Sequence, residues 1–349
     1  MNVNLATITG IGSVSPYGPF AGLILPSAVE LEPITAWKTA GLRRAFLVKP
    51  FRPADVVPGL KTRRLDRLSA WALVTSSLAL QDAGIDLSQV DRSRVAVVLG
   101  TGFGCAELTE AFFQSAAVNG WSGTDPSPFP EGLANAPASH VSLLHGLRGP
   151  NITVGTTGFA GESALIQAAS LLRHGQADLA IVLAGDTLTR AVYEWYEAAN
   201  LLSPACYNPD LQPEGGGFVP SEGLVALVLE PAGRRDVRSY ARFSSGCCAA
   251  GGNAVETIRA LLGDSVPNLT ICAGNGAPCG TSSPTDLARE ISGHDADVVP
   301  AQAVAEGLAD AGALLHLILA LSREPRSGQA LLLATSGDGG FAALRLELL

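Results

Sequence analysis

The chain has 349 residues, 47% of them hydrophobic and only 16% charged, with a mean hydropathy of +0.27. That is enough apolar material for one large core or two fused halves, and a formal charge of −9 argues against a nucleic-acid or anionic-membrane partner. The amino-terminal "MNVNLATITGIGSVSP" lacks the basic region and apolar core of a signal peptide. The longest apolar run, Ala311 to Leu321, is broken by His316 and is too short for a bilayer, so a cytoplasmic location is expected.

In chain order, apolar runs bounded by glycine predict strands at Ala6–Ile11, Val95–Gly100, Ile152–Val154, Leu179–Leu183 and Leu224–Leu229. Among them, apolar residues recurring at three and four predict helices over Leu65–Ala83, Ala106–Ala117 and Gly161–His174. The rest of the chain repeats the rhythm. Strands are predicted at Val237–Phe243, Leu269–Ala273, Val298–Pro300, Ala330–Ala334 and Ala342–Leu348, with helices at Ala254–Leu262, Pro284–Ile291 and Ala305–Leu321. Buried strands alternating with helices indicate α/β architecture with covered sheets. The repeated rhythm suggests a duplication, with halves at 1–231 and 232–349, the second one shortened.

The residues that carry chemistry are scattered. Six cysteines (Cys105, Cys206, Cys247, Cys248, Cys272 and Cys279) form no CxxC pair, and five histidines show no HxxxH or HExxH spacing. A metal site is therefore not expected, and no cofactor motif stands out. The informative stretch is Gly149–Ala169, "GPNITVGTTGFAGESALIQAA". It reads as strand, tight turn and helix, the way many enzymes mount a nucleophile at the positive end of a helix. The turn itself, "GTTGFAG", holds neither Cys nor Ser.

An ordered set of segments resembles one family, the β-ketoacyl synthases. "ITGIGSVSPYG" (Ile8–Gly18), "RRLDRLSAWAL" (Arg63–Leu73), "VAVVLGTGFG" (Val95–Gly104), "GLRGPNITVGTTGFAG", "LLRHGQADLAIVLAGDT", "GGGFVPSEGLVALVLEP" (Gly215–Pro231), "GTSSPTDLARE" and "TSGDGG" occur in the family's order. The resemblance implies the thiolase fold, a duplicated αβαβα layered architecture. It also puts Gly158 where active members carry the catalytic Cys, and Cys279, in "APCGTSSP", where they carry a His. The segment of the Lys and second His appears as "VPAQAVAEGLADAGAL" with neither, and the "GFGG" loop as "GDGG" with Asp338 inside. His294, in "SGHDAD", comes too soon after Cys279 to be the missing His and is read as a surface-loop residue.

A member without these groups resembles the chain length factor, or KSβ, of type II polyketide synthases. Such a subunit pairs with an active ketosynthase (KSα) and shapes the tunnel for a chain carried on acyl carrier protein. Aromatic-polyketide members commonly have Gln at the position of Gly158. That departure, with the condensed stretch between Glu230 and Asn275, points toward the highly reducing, polyene-forming type. The match places Cys105, Leu108 and Phe112 on the tunnel wall, with Phe129 near the partner's pocket. Two rival readings remain: a malonyl-carrier decarboxylase, or a non-catalytic homodimeric scaffold that binds carrier protein. The basic run Lys61–Arg67 is read as a solvated helix start rather than a carrier-protein dock.

Overall fold

A computed structural model of the chain describes residues 6–23, 30–37, 41–156, 158–208, 210–211, 217–234, 237–274, 284–292, 297–299, 312–323, 327–336 and 339–349. It begins with β1 (Ala6–Ser15) and β2 (Gly18–Ala21), a two-stranded ribbon of β3 (Glu32–Pro33) and β4 (Arg44–Ala45), and helices α1 (Pro53–Val56) and α2 (Arg67–Asp82). There follow β5 (Val95–Thr101), α3 (Ala106–Asn119), α4 (Ala136–His145), β6 (Asn151–Gly155), α5 (Ala160–Arg173), β7 (Leu179–Asp186), α6 (Arg190–Ala198) and β8 (Gly223–Pro231). The remainder comprises β9 (Ala241–Ala250), α7 (Ala254–Leu262), β10 (Leu269–Gly274), α8 (Pro284–Ser292), β11 (Asp297–Val299), α9 (Gly312–Arg323), β12 (Gly328–Thr335) and β13 (Gly340–Leu348).

Among the described residues the main sheet has eleven strands in the order β11-β10-β12-β13-β9-β1-β8-β7-β5-β6, with β2 beside β1. This order contains one pattern twice. In β1, β5, β6, β7 and β8, the second strand pairs in parallel with the third and fourth, while the fifth runs antiparallel between the fourth and the first. Strands β9 to β13 pair in the same way, and the two sets meet where Ala6–Ile8 pairs with Ala241–Phe243.

Three buried clusters set the layers. Leu165 and Leu171 of α5 share an inner core with Leu314 and Ile318 of α9. Trp71 and Leu78 of α2 and Val141 of α4 cover one outer face, and Ile258 of α7 and Leu287 of α8 cover the other. The sheet thus carries helices on both faces, with α5 of one strand set and α9 of the other in the inner core, which is the layering of the duplicated thiolase arrangement and buries strands that are apolar on both faces.

Helix α7 matches its predicted bounds, and the other predicted strands and helices fall close to theirs except as follows. Strand β9 runs over Ala241–Ala250 rather than Val237–Phe243, because "SSGCCAA" has weak strand propensity but pairs with β13 as far as Gly340↔Ala250. Helices α4 and α6 were not predicted: α4 opens "AP" and leaves Leu143 and Leu144 exposed, so its apolar stripe does not show. The predicted helix Ala305–Leu321 is observed from Gly312, and residues 300–311 lie outside the described ones. None of the helices among the described residues is long and apolar enough to cross a membrane.

Candidate functional site

The strand, turn and helix read from the sequence are present as β6, the elbow and α5. Gly158 has φ of +96°, a conformation that L side chains rarely adopt, and a Cβ added there would lie 3.2 Å from Ser336 Cβ. The elbow therefore faces Ser336, the residue that follows β12. The turn sits close because β5 lets it. A Cβ on Gly100 would come within 2.1 Å of the Ala160 carbonyl oxygen, so α5 starts against bare backbone.

One turn into α5, Glu162 is only 2% exposed. Burial pushes its carboxyl up to about 8, outweighing the attraction of a helix start for negative charge. This folded value lies above the ordinary 4.5, so the stability it contributes is complete below about pH 4.5 and lost as pH rises through about 8. Glu162→Gln stays neutral throughout. Thermal midpoints from about pH 5 to about pH 9 are expected to fall less steeply for this variant than for wild type; parallel curves would show that Glu162 does not titrate in that range.

Near the elbow, Ser163 Oγ donates to Cys248 Sγ at 3.5 Å. Cys248 is itself exposed, and the protein packed around its thiol, with Glu162 nearby, shifts it upward rather than toward the thiolate. Burial raises Cys105 and Cys272 to about 12 and also raises Cys247. A reactive thiol needs the opposite shift, so none of these four is an activated nucleophile. Cys279, His294 and Asp338 lie outside the described residues. Among the described residues there is no group of three or more side chains suited to a metal ion.

The second part of the site is built around α3. The carboxylate of Asp186, at the end of β7, accepts from Thr101 Oγ1 (2.5 Å), Phe103 N (2.9 Å) and Gly102 N (3.1 Å), which fixes the turn before α3. Asp66 accepts from Leu68 N at 2.8 Å and from Leu108 N at 3.1 Å, so one carboxylate caps α2 and binds the first turn of α3. Arg67 bridges Glu107 at 2.6 Å and Glu222 at 2.8 Å, and its guanidinium lies 4.9 Å from the Trp71 ring centroid. The sequence reading assigned Asp66, Asp186 and Glu222 no role. Their only signal was a carboxylate interrupting an apolar run, as in "RRLDRLSAW", "LAGDT" and "PSEGLVAL". Arg67 is engaged in ion pairs rather than solvated, whereas Lys61, Arg63 and Arg64 are exposed.

Leu108, Phe112 and Phe129 come together. With Phe113, Pro128 and Leu133 they line an apolar cavity of ≈ 160 Å³, in which the Phe112 and Phe129 rings lie 5.6 Å apart. Cys105 is not among the lining residues. It is the N-cap of α3 rather than part of its face, and its side chain is buried 3.8 Å from Ser69 Oγ of α2. Helix α3 itself is poorly covered: within it only Ala116 is buried, and Phe113 and Val118 are exposed. Trp121 is also exposed and its ring lies 6.3 Å from that of Phe113, while Leu143 and Leu144 are exposed on α4.

Residues 26–234 match the N-terminal domain of β-ketoacyl synthases. Among curated proteins, the chain is 26% identical over 242 residues to 3-oxoacyl-[acyl-carrier-protein] synthase 2 of Vibrio cholerae, covering 66% of this chain and 58% of that protein. The match thus spans less than two thirds of that relative's length. Two solved structures share the fold over 99% of both chains. One is the ishigamide ketosynthase/chain length factor, with TM-score 0.71 and 22% identity. The other is a type II polyketide synthase acyl-carrier protein in complex with its ketosynthase bound to the hexaketide, with TM-score 0.75 and 17% identity. With a family match over more than half its length, and an elbow and duplicated sheet of the corresponding form, the chain belongs to the β-ketoacyl synthase family.

Proposed function

We infer that this chain is a non-catalytic ketosynthase-like subunit of the chain length factor type, which pairs with an active ketosynthase. Its two thiolase-like halves are residues 1–231 and 232–349. The observation that carries the reading is Gly158. At the family's nucleophile position it has no atom that could accept an acyl group. On this reading Cys279 replaces a catalytic His, and condensation takes place on the partner. This chain supplies a wall built from Leu108 and Phe112, with Phe129 toward the partner's pocket; Cys105 supports α3 from behind.

The assembly handles a chain attached to acyl carrier protein, in the cytoplasm, with no cofactor held by this subunit. A dry aromatic and aliphatic pocket suits the end of an apolar, extended chain such as a polyene. The exposed Phe113 and Trp121, in contact beside α3, support pairing, because exposed aromatic surface of this kind marks a protein interface.

The test is co-expression with a candidate ketosynthase. The pair should elute as a 1:1 heterodimer that extends an acyl chain with malonyl units delivered on carrier protein, whereas this chain alone should condense nothing. Gly158→Cys alone should also remain inactive, since a thiol without its His partners lacks a base. Turnover by the isolated chain, or by that single variant, would overturn the reading.

A further inference from the structure

The far wall of the apolar cavity is not part of α3. It is a single 3-10 turn, Phe129–Gly132, preceded by Pro128 and carrying the Phe129 ring against Phe112. So short a segment is not held in place by its own hydrogen bonds. Phe129 is 51% exposed, so burial holds it only weakly. Two polar contacts tie the turn to its neighbours. Thr109 Oγ1, on α3, donates to the Gly132 carbonyl at 2.9 Å. On the other side, the Glu131 carboxylate meets His140 Nε2 of α4 at 2.6 Å, with side-chain exposures of 31% and 21%. The turn is thus strung between two helices, and its position sets the distance between the Phe129 and Phe112 rings.

We propose that the His140–Glu131 pair is a specificity-determining latch, holding the Phe129 wall against α3 and so fixing the width of the cavity that receives the end of an apolar chain. His140 and Glu131 act as positioning residues, since neither lines the cavity. The inference rests on the proposed role of that cavity. Without the latch the turn keeps its Thr109 bond and its chain connection to α4, but it loses the contact that holds it from the α4 side and swings outward with its aromatic ring. The cavity then loses a wall while the core beneath keeps its packing.

The experiment titrates the purified full-length chain with cis-parinaric acid, a polyene fatty acid whose fluorescence rises as it leaves water. Wild type should bind the probe saturably. His140→Ala should weaken binding about tenfold, the value of one lost charge-assisted hydrogen bond, with an unchanged thermal midpoint. Glu131→Ala should have the same effect, and the pair of substitutions should cost no more than one. His140→Gln, which keeps a donor, should restore most of the affinity. Phe112→Trp, which fills the cavity, should abolish binding whatever the latch does. If Phe112→Trp blocks the probe but His140→Ala and Glu131→Ala both bind it like wild type, the latch is wrong and the cavity stands. If wild type binds no probe, or Phe112→Trp binds it unchanged, the cavity reading fails and takes this inference with it.

Discussion

In a reconstituted heterodimer, Phe112→Ala is expected to lengthen the chains that accumulate on carrier protein, and Leu108→Trp to shorten them. Both residues line the ≈ 160 Å³ cavity, and the Phe112 ring packs tilted against Phe129 across it. Removing the Phe112 ring extends the cavity toward Trp121, whose centroid lies 6.5 Å from that of Phe112. Complete burial would make such a truncation cost about 3–5 kcal/mol. Phe112 is only half-buried, so about 1–2 kcal/mol is the reasonable figure. The variant should therefore remain folded and paired. Leu108→Trp adds volume to a wall already in contact with the turn at Phe129–Gly132, and packed walls take up added volume poorly. The measurement is mass spectrometry of carrier-bound intermediates, after confirming that each variant still pairs. Identical length distributions for both variants and wild type would reduce these residues to ordinary packing.

The second large effect is on stability. Glu222→Ala is expected to destabilise the chain by about 3–5 kcal/mol, the range for breaking a buried ion pair from one side. The Glu222 side chain is 1% exposed. It accepts from Val48 N and Leu188 N, both at 3.1 Å, as well as pairing with Arg67. Alanine would leave two buried amide donors without an acceptor, each worth about 1–3 kcal/mol. Arg67 would lose the partner that holds it over Trp71, although its side chain is 33% exposed, so water offsets part of that loss. Urea titration gives the change in midpoint at a shared slope. A shift below about 1 kcal/mol would show that water enters and replaces the carboxylate. Because Arg67 also holds Glu107 in the first turn of α3, the variant should loosen the helix that carries Leu108 and Phe112.

The sequence by itself determined the strands and helices whose side chains are apolar on the faces they bury. Val95–Thr101 and Leu179–Asp186 are buried throughout, and such runs have no alternative outside a covered sheet. It also determined the strand, turn and helix of the elbow and the absence of Cys and Ser from it, since glycine at Gly158 is a fact of covalent structure. The recurrence of that rhythm was enough to suggest two halves. It was not enough to show that both halves share one strand order, which is a matter of hydrogen-bond partners far apart in the chain.

Tertiary structure decided the rest. β9 is a strand because β13 offers it a ladder, not because "SSGCCAA" prefers one. Cys105 lies apart from the cavity that Leu108 and Phe112 line, because it stands at the cap of α3, turned toward Ser69. Leu108 and Phe112 could be paired by spacing within one helix. Phe129, in a separate turn, joined them only through the fold. Asp66, Asp186 and Glu222 gained their roles in the same way: each carboxylate reaches backbone amides from distant segments or the start of a neighbouring helix. Periodicity reports which face of an element is apolar. Which amides and rings meet across elements depends on the closure of the whole chain.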